Sequence, residues 1–149
     1  MRPSRRCRDE GSASLEFITA GLLLLVPLVY LVLVMAAIQG GALATEGAAR
    51  QAARVFVQAA TDGEARSRSQ TAVNFGLADF GLEHATSDVS VSCQPNPGTC
   101  LTRRGFVTVT VRAFVPLPLV PNILSFAHPL VVPMTATSTE QVSRFWGAG

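Results

Sequence analysis

Residues 11–41 read GSASLEFITAGLLLLVPLVYLVLVMAAIQGG. From Phe17 to Ile38 there are 22 residues without a charge. As an α-helix such a run is about 33 Å long, roughly the thickness of a bilayer's hydrocarbon core. The stretch is therefore a membrane-spanning candidate, and it organises the chain: one long N-terminal helix, with everything after Ile38 carried on its far end. Glu16 stands at the mouth of the run, where a carboxylate is costly unless something specific neutralises it.

The totals agree with an anchor plus one small domain. The chain has 149 residues, 48% of them apolar, more than a soluble domain of this size needs. All 12 basic residues are arginine, a bias that fits a GC-rich coding sequence. Arg2, Arg5, Arg6 and Arg8 face Asp9 and Glu10 in the first 11 residues, and the other eight arginines balance eight acids. The whole net charge of +2 thus lies in the leader, as expected of a cytoplasmic tail. With no basic surplus elsewhere, no nucleic-acid partner is expected; Arg103 and Arg104 are the one local basic patch to watch.

Beyond the run, QGGALATEGAARQAARVFVQAATDG is alanine-rich, with Arg50 and Arg54 one turn apart, so the membrane helix is expected to continue to about Ala60. Gly40, Gly41 and Gly47 weaken it but leave a thin surface that other backbones can approach closely. Thr61-Asp62-Gly63-Glu64 matches a capping box and announces a second helix to about Phe80, with Ala65, Ala72, Val73 and Leu77 inward. One long helix bent at Asp62-Gly63 is the alternative.

After His84 the period becomes two. Val89, Val91 and Cys93 alternate with serines; Val107, Val109 and Val111 alternate with Thr108, Thr110 and Arg112; Leu130, Val132, Met134 and Ala136 form a third run ending near Val142. Three amphipathic strands predict an antiparallel meander with one face under the helices. Between strands two and three, FVPLPLVPNILSFAHPL holds four prolines, and it reads as an apolar crossover that packs on the long helix or rests near a membrane surface. The expected class is α+β, in four parts: a leader at 1–11, a transmembrane helix at 12–39, an extracytoplasmic helical region at 40–82 and a small β-rich domain at 83–149.

Cys7 lies in the leader, where a reducing cytoplasm keeps it a thiol. Cys93 and Cys100 flank QPNPGT, a turn that brings them together, and a disulfide is expected in an oxidising compartment; two unlinked buried thiols are the alternative. No metal or other cofactor is expected, because the spacing of zinc hairpins is absent and His84 and His128 are the only histidines. No nucleophile triad, phosphate-binding glycine loop or His-Glu metal helix appears. An enzyme and a small-molecule substrate are therefore not expected. Trp146, Phe145 and Arg144 are assigned to capping the sheet, with contact to a partner as the other use.

Three readings of the N-terminus compete. A secretory signal would use Ala42-Leu43-Ala44 as its cleavage site, leaving a chain that begins near Thr45, but the apolar run is long and the leader is acidic in part. Ser4-Arg5-Arg6 hints at a twin-arginine signal, yet Cys7-Arg8-Asp9 replaces the apolar residues that should follow. In a plain anchor Glu16 only reaches for the interface, where a helix N-terminus favours it.

The third reading uses more of the residues. A charged leader ends in Gly11, small Ser12, Ala13 and Ser14 follow, and Glu16 and Phe17 are the fifth and sixth residues after that glycine. This resembles the class III signal of type IV prepilins, which implies cleavage between Gly11 and Ser12 by a membrane-embedded prepilin peptidase. The cut would create an amine on Ser12 and retain the apolar helix. The resemblance further implies that Glu16 pairs with such an amine on a neighbouring subunit, with Phe17 beside it. Pro27 frees the Leu23 carbonyl and is expected to kink the helix unless neighbouring helices absorb the defect.

More narrowly, GSASLEFITAGLLLLVPLVYLVLVMAAIQGGALATEGAARQAARVFVQA resembles the TadE and TadE-like proteins of tight-adherence (Flp) pilus systems, the actinobacterial kind in particular. That resemblance covers roughly the first 60 residues closely and the remainder in outline. It implies a minor pilin or pseudopilin with a pilin-like α+β order, held in the cell membrane by a single pass. The N-terminus would be cytoplasmic, the C-terminal domain extracytoplasmic, and the chain a component of a surface pilus. Its implied partners are the prepilin peptidase, other pilin-like subunits, the Tad assembly platform and the membrane. The alternative is a membrane-anchored or secreted binding module, such as an adhesin, receptor or DNA-uptake component, without filament assembly.

Overall fold

The computed structural model describes residues 12–118 and 130–147. The leader, with Cys7 and Gly11, and His128 in the crossover lie outside the described residues. The chain is α+β: two helices precede a three-stranded antiparallel sheet. It divides into two compact units, Met1–Met35 and Ala36–Gly149.

Helix α1 spans Ser12–Val57, 46 residues, and passes through Pro27 without a break in assignment. Its two parts have different environments. Through residue 33 every described side chain is exposed, although nearly all are apolar. From Gly41 onward a wide stripe is buried, made of Ala44, Thr45, Ala48, Ala49, Ala52, Ala53 and Phe56. A helix that is apolar all round and uncovered suits lipid, whereas a buried stripe of small residues suits close protein packing.

Helix α2 spans Asp62–Ala78. It starts where the capping residues place it: Thr61 is extended, and its hydroxyl accepts from the Glu64 amide at 3.2 Å. Glu64 reaches back to the Ala60 amide at 3.1 Å, one residue earlier than the usual capping box, and pairs with Arg68. One orphan amide of the helix and one of the residue before its cap are thereby satisfied, and the chain forms two helices rather than one bent helix. The inward face of α2 is Ala65, Ser69, Val73 and Leu77. Ser69 replaces the expected Ala72, which is only half-buried; the spacing of four residues selects it, and its hydroxyl is satisfied by donating to the Ala52 carbonyl at 2.9 Å.

The sheet is a meander of β1 (Ser87–Gln94), β2 (Phe106–Pro116) and β3 (Val131–Gln141), with β2 central. Val91, Val109 and Ser138 share one row, and Val89, Val111 and Ala136 the next. On this face Val107, Val109, Val111 and Ala113 are buried in one core with the alanines and Phe56 of α1, and Val115 is buried beyond them against Gly41. Each valine so buried is worth about 1.5–3 kcal/mol, so β2 supplies the large apolar groups that α1 lacks. The opposite face carries Ser90 and Ser92, Thr108 and Thr110, Thr137 and Thr139 in register. The threonines pair across strands, Thr108 with Thr139 at 2.8 Å and Thr110 with Thr137 at 3.1 Å.

Strand β2 runs further than its prolines suggest, taking Phe114, Val115 and Pro116 out of the expected crossover. Backbone direction explains this. The Phe114 amide points toward β1, bonding Thr86 O at 3.0 Å, while the Leu117 amide points toward β3, bonding Leu130 O at 3.1 Å. Pro116, two residues after Phe114, therefore turns its missing N–H to the side where β1 has already ended. Pro133 is tolerated in β3 for a similar reason: it faces Phe114 in the register, so its nitrogen lies on the free edge of the sheet.

Candidate membrane-assembly segment

Among the described residues α1 runs from Ser12, and its first described turn holds the small residues Ser12, Ala13 and Ser14. Glu16 follows that turn and is exposed. It shares a shallow groove with the adjacent Leu15 and with Thr19, Ala20 and Leu23, its neighbours at helical spacings of three, four and seven. The Thr19 hydroxyl is committed to the Leu15 carbonyl at 2.7 Å and leaves Glu16 alone. Among the described residues the ion pairs are Glu46 with Arg50 and Glu64 with Arg68, neither involving Glu16. Phe17 is 80% exposed. The segment thus presents a carboxylate and an aromatic ring on an apolar helix, with nothing among the described residues to cover them. One helix near the N-terminus is long and apolar enough to cross a membrane, and its most apolar window is wholly unburied.

The secretory motif Ala42-Leu43-Ala44 has a different setting. It lies inside α1, and Ala44 is 1% exposed in the core. On one side of it Gly41 meets Val115 of β2; on the other Ala48 meets Gly76 of α2. The buried Thr45 hydroxyl donates to the Gly41 carbonyl at 2.7 Å across the motif. A cut there would sever the helix that the sheet and α2 both pack on.

Cys93 and Cys100 are joined by a disulfide, with Cα atoms 5.1 Å apart, and both are buried. It closes the β1–β2 loop at the end of the domain that also holds the C-terminal turn. There the Trp146 indole donates to the Ala59 carbonyl at 3.0 Å, and Arg103 Nε donates to the Trp146 carbonyl at 2.9 Å. Trp146 packs on the core, whereas Phe145 is 66% exposed with Arg144 stacked over it at 4.6 Å. Arg104 has a left-handed backbone, φ 61°, and its carbonyl accepts from Gln141 at 3.3 Å. Arg103, Arg104 and Arg144, all exposed, are therefore gathered at one end although the domain as a whole is nearly neutral. Sequence order separates them by some 40 residues, which is why counting charges did not reveal it.

An apolar groove of about 730 Å³ runs between α1 and α2, floored by Ala44, Gly47, Ala48 and Gly76 and walled by Phe75 and Phe80. His84 is exposed beside a smaller hollow with Gly81 and Phe114. No cluster of metal-ligating side chains is found among the described residues. Comparisons with protein-family models, curated proteins and solved structures give no match to this chain.

Proposed function

We propose that this protein is a minor pilin-like subunit, of the TadE-like kind, that is cut after Gly11 and takes part in assembling a tight-adherence pilus at the cell envelope. The observation that carries this reading is the double use of α1. Its first half offers an uncovered apolar surface with Glu16 and Phe17, and its second half is the structural centre of the domain. A prepilin-type cut after Gly11 keeps both halves of α1 in one chain, which supports this reading, and a cut at Ala44 parts them.

In this reading the peptidase generates an amine on Ser12. Glu16, a carboxylate at the mouth of an apolar run with at best a weak partner in its own chain, gains a better one from an adjacent subunit. Assembly is then favoured over the monomer, and the pair sets the register between subunits. The folded domain with its disulfide is too bulky for dense coating of a thin filament and suits a tip, base or initiating complex. The partners are a prepilin peptidase, sister pilin-like subunits and the assembly platform, with the leader cytoplasmic and the domain outside.

Intact-mass measurement of the protein from native membranes tests this. The expected chain begins at Ser12. A chain beginning near Thr45, or one still carrying residues 1–11, would overturn the proposal.

A further inference from the structure

We propose that the end of the domain at which α1 enters is a lipid-contact surface, a collar in which Leu43, Phe80, Leu130 and Val131 rest in the interfacial region of the bilayer. The inference rests on reading α1 as membrane-spanning. It goes beyond that reading by assigning a partner to a surface of the folded domain.

The first argument is the absence of a linker. The apolar run ends at Ile38, and Gly41 already touches Val115 of β2. Three residues of helix rise only about 4.5 Å. Both positions belong to the Ala36–Gly149 unit, so the end of β2 is held at the level where the span stops. Leu117 brings the start of β3 to the same level, since its amide bonds the Leu130 carbonyl at 3.1 Å. Helix α2 runs antiparallel to α1, with Ser69 at Ala52 and Gly76 at Ala48. One further turn therefore puts Phe80 beside Ala44, and both line the same groove.

The second argument is what these positions carry. Among the described residues of the Ala36–Gly149 unit the exposed large apolar ones are Leu43, Phe75, Phe80, Phe106, Leu130, Val131 and Phe145. Four of the seven lie at this one end, and Phe75 lies just above it. Exposed apolar residues scattered singly need no explanation, but a cluster rimmed by polar groups marks a contact. Three exposed arginines, Arg103, Arg104 and Arg144, are at the opposite end, whereas exposed Arg112, toward this end of β2, stands opposite the acid Asp88 in the register. The charges nearest Phe80 are the acids Asp79 and Glu83, so attraction to anionic lipid does not hold the collar down; burial of apolar surface does.

The test places single nitroxide labels on the full chain in phosphatidylcholine nanodiscs, in a Cys7→Ser background that keeps the disulfide. Labels go at Phe80, Leu130, Leu28 in the span and Ser90 on the outer sheet face, and accessibility to oxygen is compared with accessibility to a water-soluble nickel chelate. All four positions are exposed in the folded chain, so the labels need not disturb packing. The expected result is an oxygen-to-nickel ratio several-fold higher at Phe80 and Leu130 than at Ser90, and highest at Leu28. If Leu28 reports lipid while Phe80 and Leu130 match Ser90, the collar is wrong and the span stands. Phe80 and Leu130 shielded from both reagents would mean that protein covers them, either a second copy or residues 119–129, and would also overturn the collar. A label at Leu28 reporting water would overturn both readings together.

Discussion

Gly41 of α1 lies directly against Val115 of β2: a Cβ added at Gly41 would come within 2.5 Å of Val115 Cγ2 and 3.2 Å of its Cγ1. The contact sits at the point where the apolar helix becomes the spine of the folded domain. It depends on a missing side chain on one partner and a branched one on the other. Val115 is 2% exposed and, being β-branched, has little freedom to turn away.

Gly41→Ala should therefore destabilise the domain although alanine is the better helix former. About 1 kcal/mol of helix propensity is gained and about 1–3 kcal/mol is lost to overpacking, leaving a net loss of about 1 kcal/mol. Val115→Ala alone should cost more, by opening a void, and the double variant should recover part of both losses because the new methyl fills that void. Thermal unfolding of the four proteins in one detergent closes the cycle. Additive losses would show that the two residues do not meet.

Glycines on the α1–α2 side give an internal contrast. A Cβ at Gly76 would lie 3.2 Å from Ala48 Cα and Cβ, so the helices themselves would have to separate, while at Gly47 it would meet nothing within 4 Å. Gly47→Ala is expected to stabilise by roughly 0.5–1 kcal/mol. Gly76→Ala should gain nothing or lose stability, and Gly76→Leu should cost about 1–3 kcal/mol. Equal behaviour of the two alanine variants in thermal melts would contradict the close helix approach.

The C-terminal turn should be a latch and not an ornament. Trp146→Phe keeps most of the ring but removes the hydrogen bond to Ala59, and is expected to cost about 1 kcal/mol. Phe145→Ala, at an exposed ring, should change stability by less than about 0.5 kcal/mol. Chemical denaturation of both variants, followed by far-UV circular dichroism, separates the two roles; a larger loss at Phe145 would reverse the assignment.

Most of this architecture is readable in the residues because each local signal has a local cause. The capping residues start α2 at Asp62, and alternating valines produce the meander with its apolar face inward. Where reading failed, the cause was non-local. Pro116 looks like a strand breaker until the neighbouring strand is known to have ended, and Ser69 looks like a surface residue until Ala52 is placed opposite it. Arg103 and Arg144 become neighbours only when the β1–β2 loop meets the C-terminus. The candidate site divides similarly: Glu16 and Phe17 stand out against an apolar run, but the burial of Ala44, which weighs against a cut there, depends on how α1 packs between α2 and the sheet.

Glu16 carries the prediction on which the functional reading turns. Within one cut chain the Ser12 amine and the Glu16 carboxylate are four residues apart, about 6 Å along the helix, so a monomer has a weak pair of its own. Assembly has to offer a better one, in a drier setting where an unpaired carboxylate is costly. A Glu16→Ala subunit should thus be inserted and cut normally but incorporated poorly when it is the sole copy. It still supplies an amine, so co-expression with the unmodified subunit should rescue part of its incorporation. A Gly11→Val subunit, expected to remain uncut, has the reverse defect: a carboxylate without an amine. Mass spectrometry of sheared surface filaments and of membranes measures cutting and incorporation separately. If the Glu16→Ala subunit is incorporated as well as the unmodified one, the carboxylate serves only the membrane interface and the amine-pairing role is wrong.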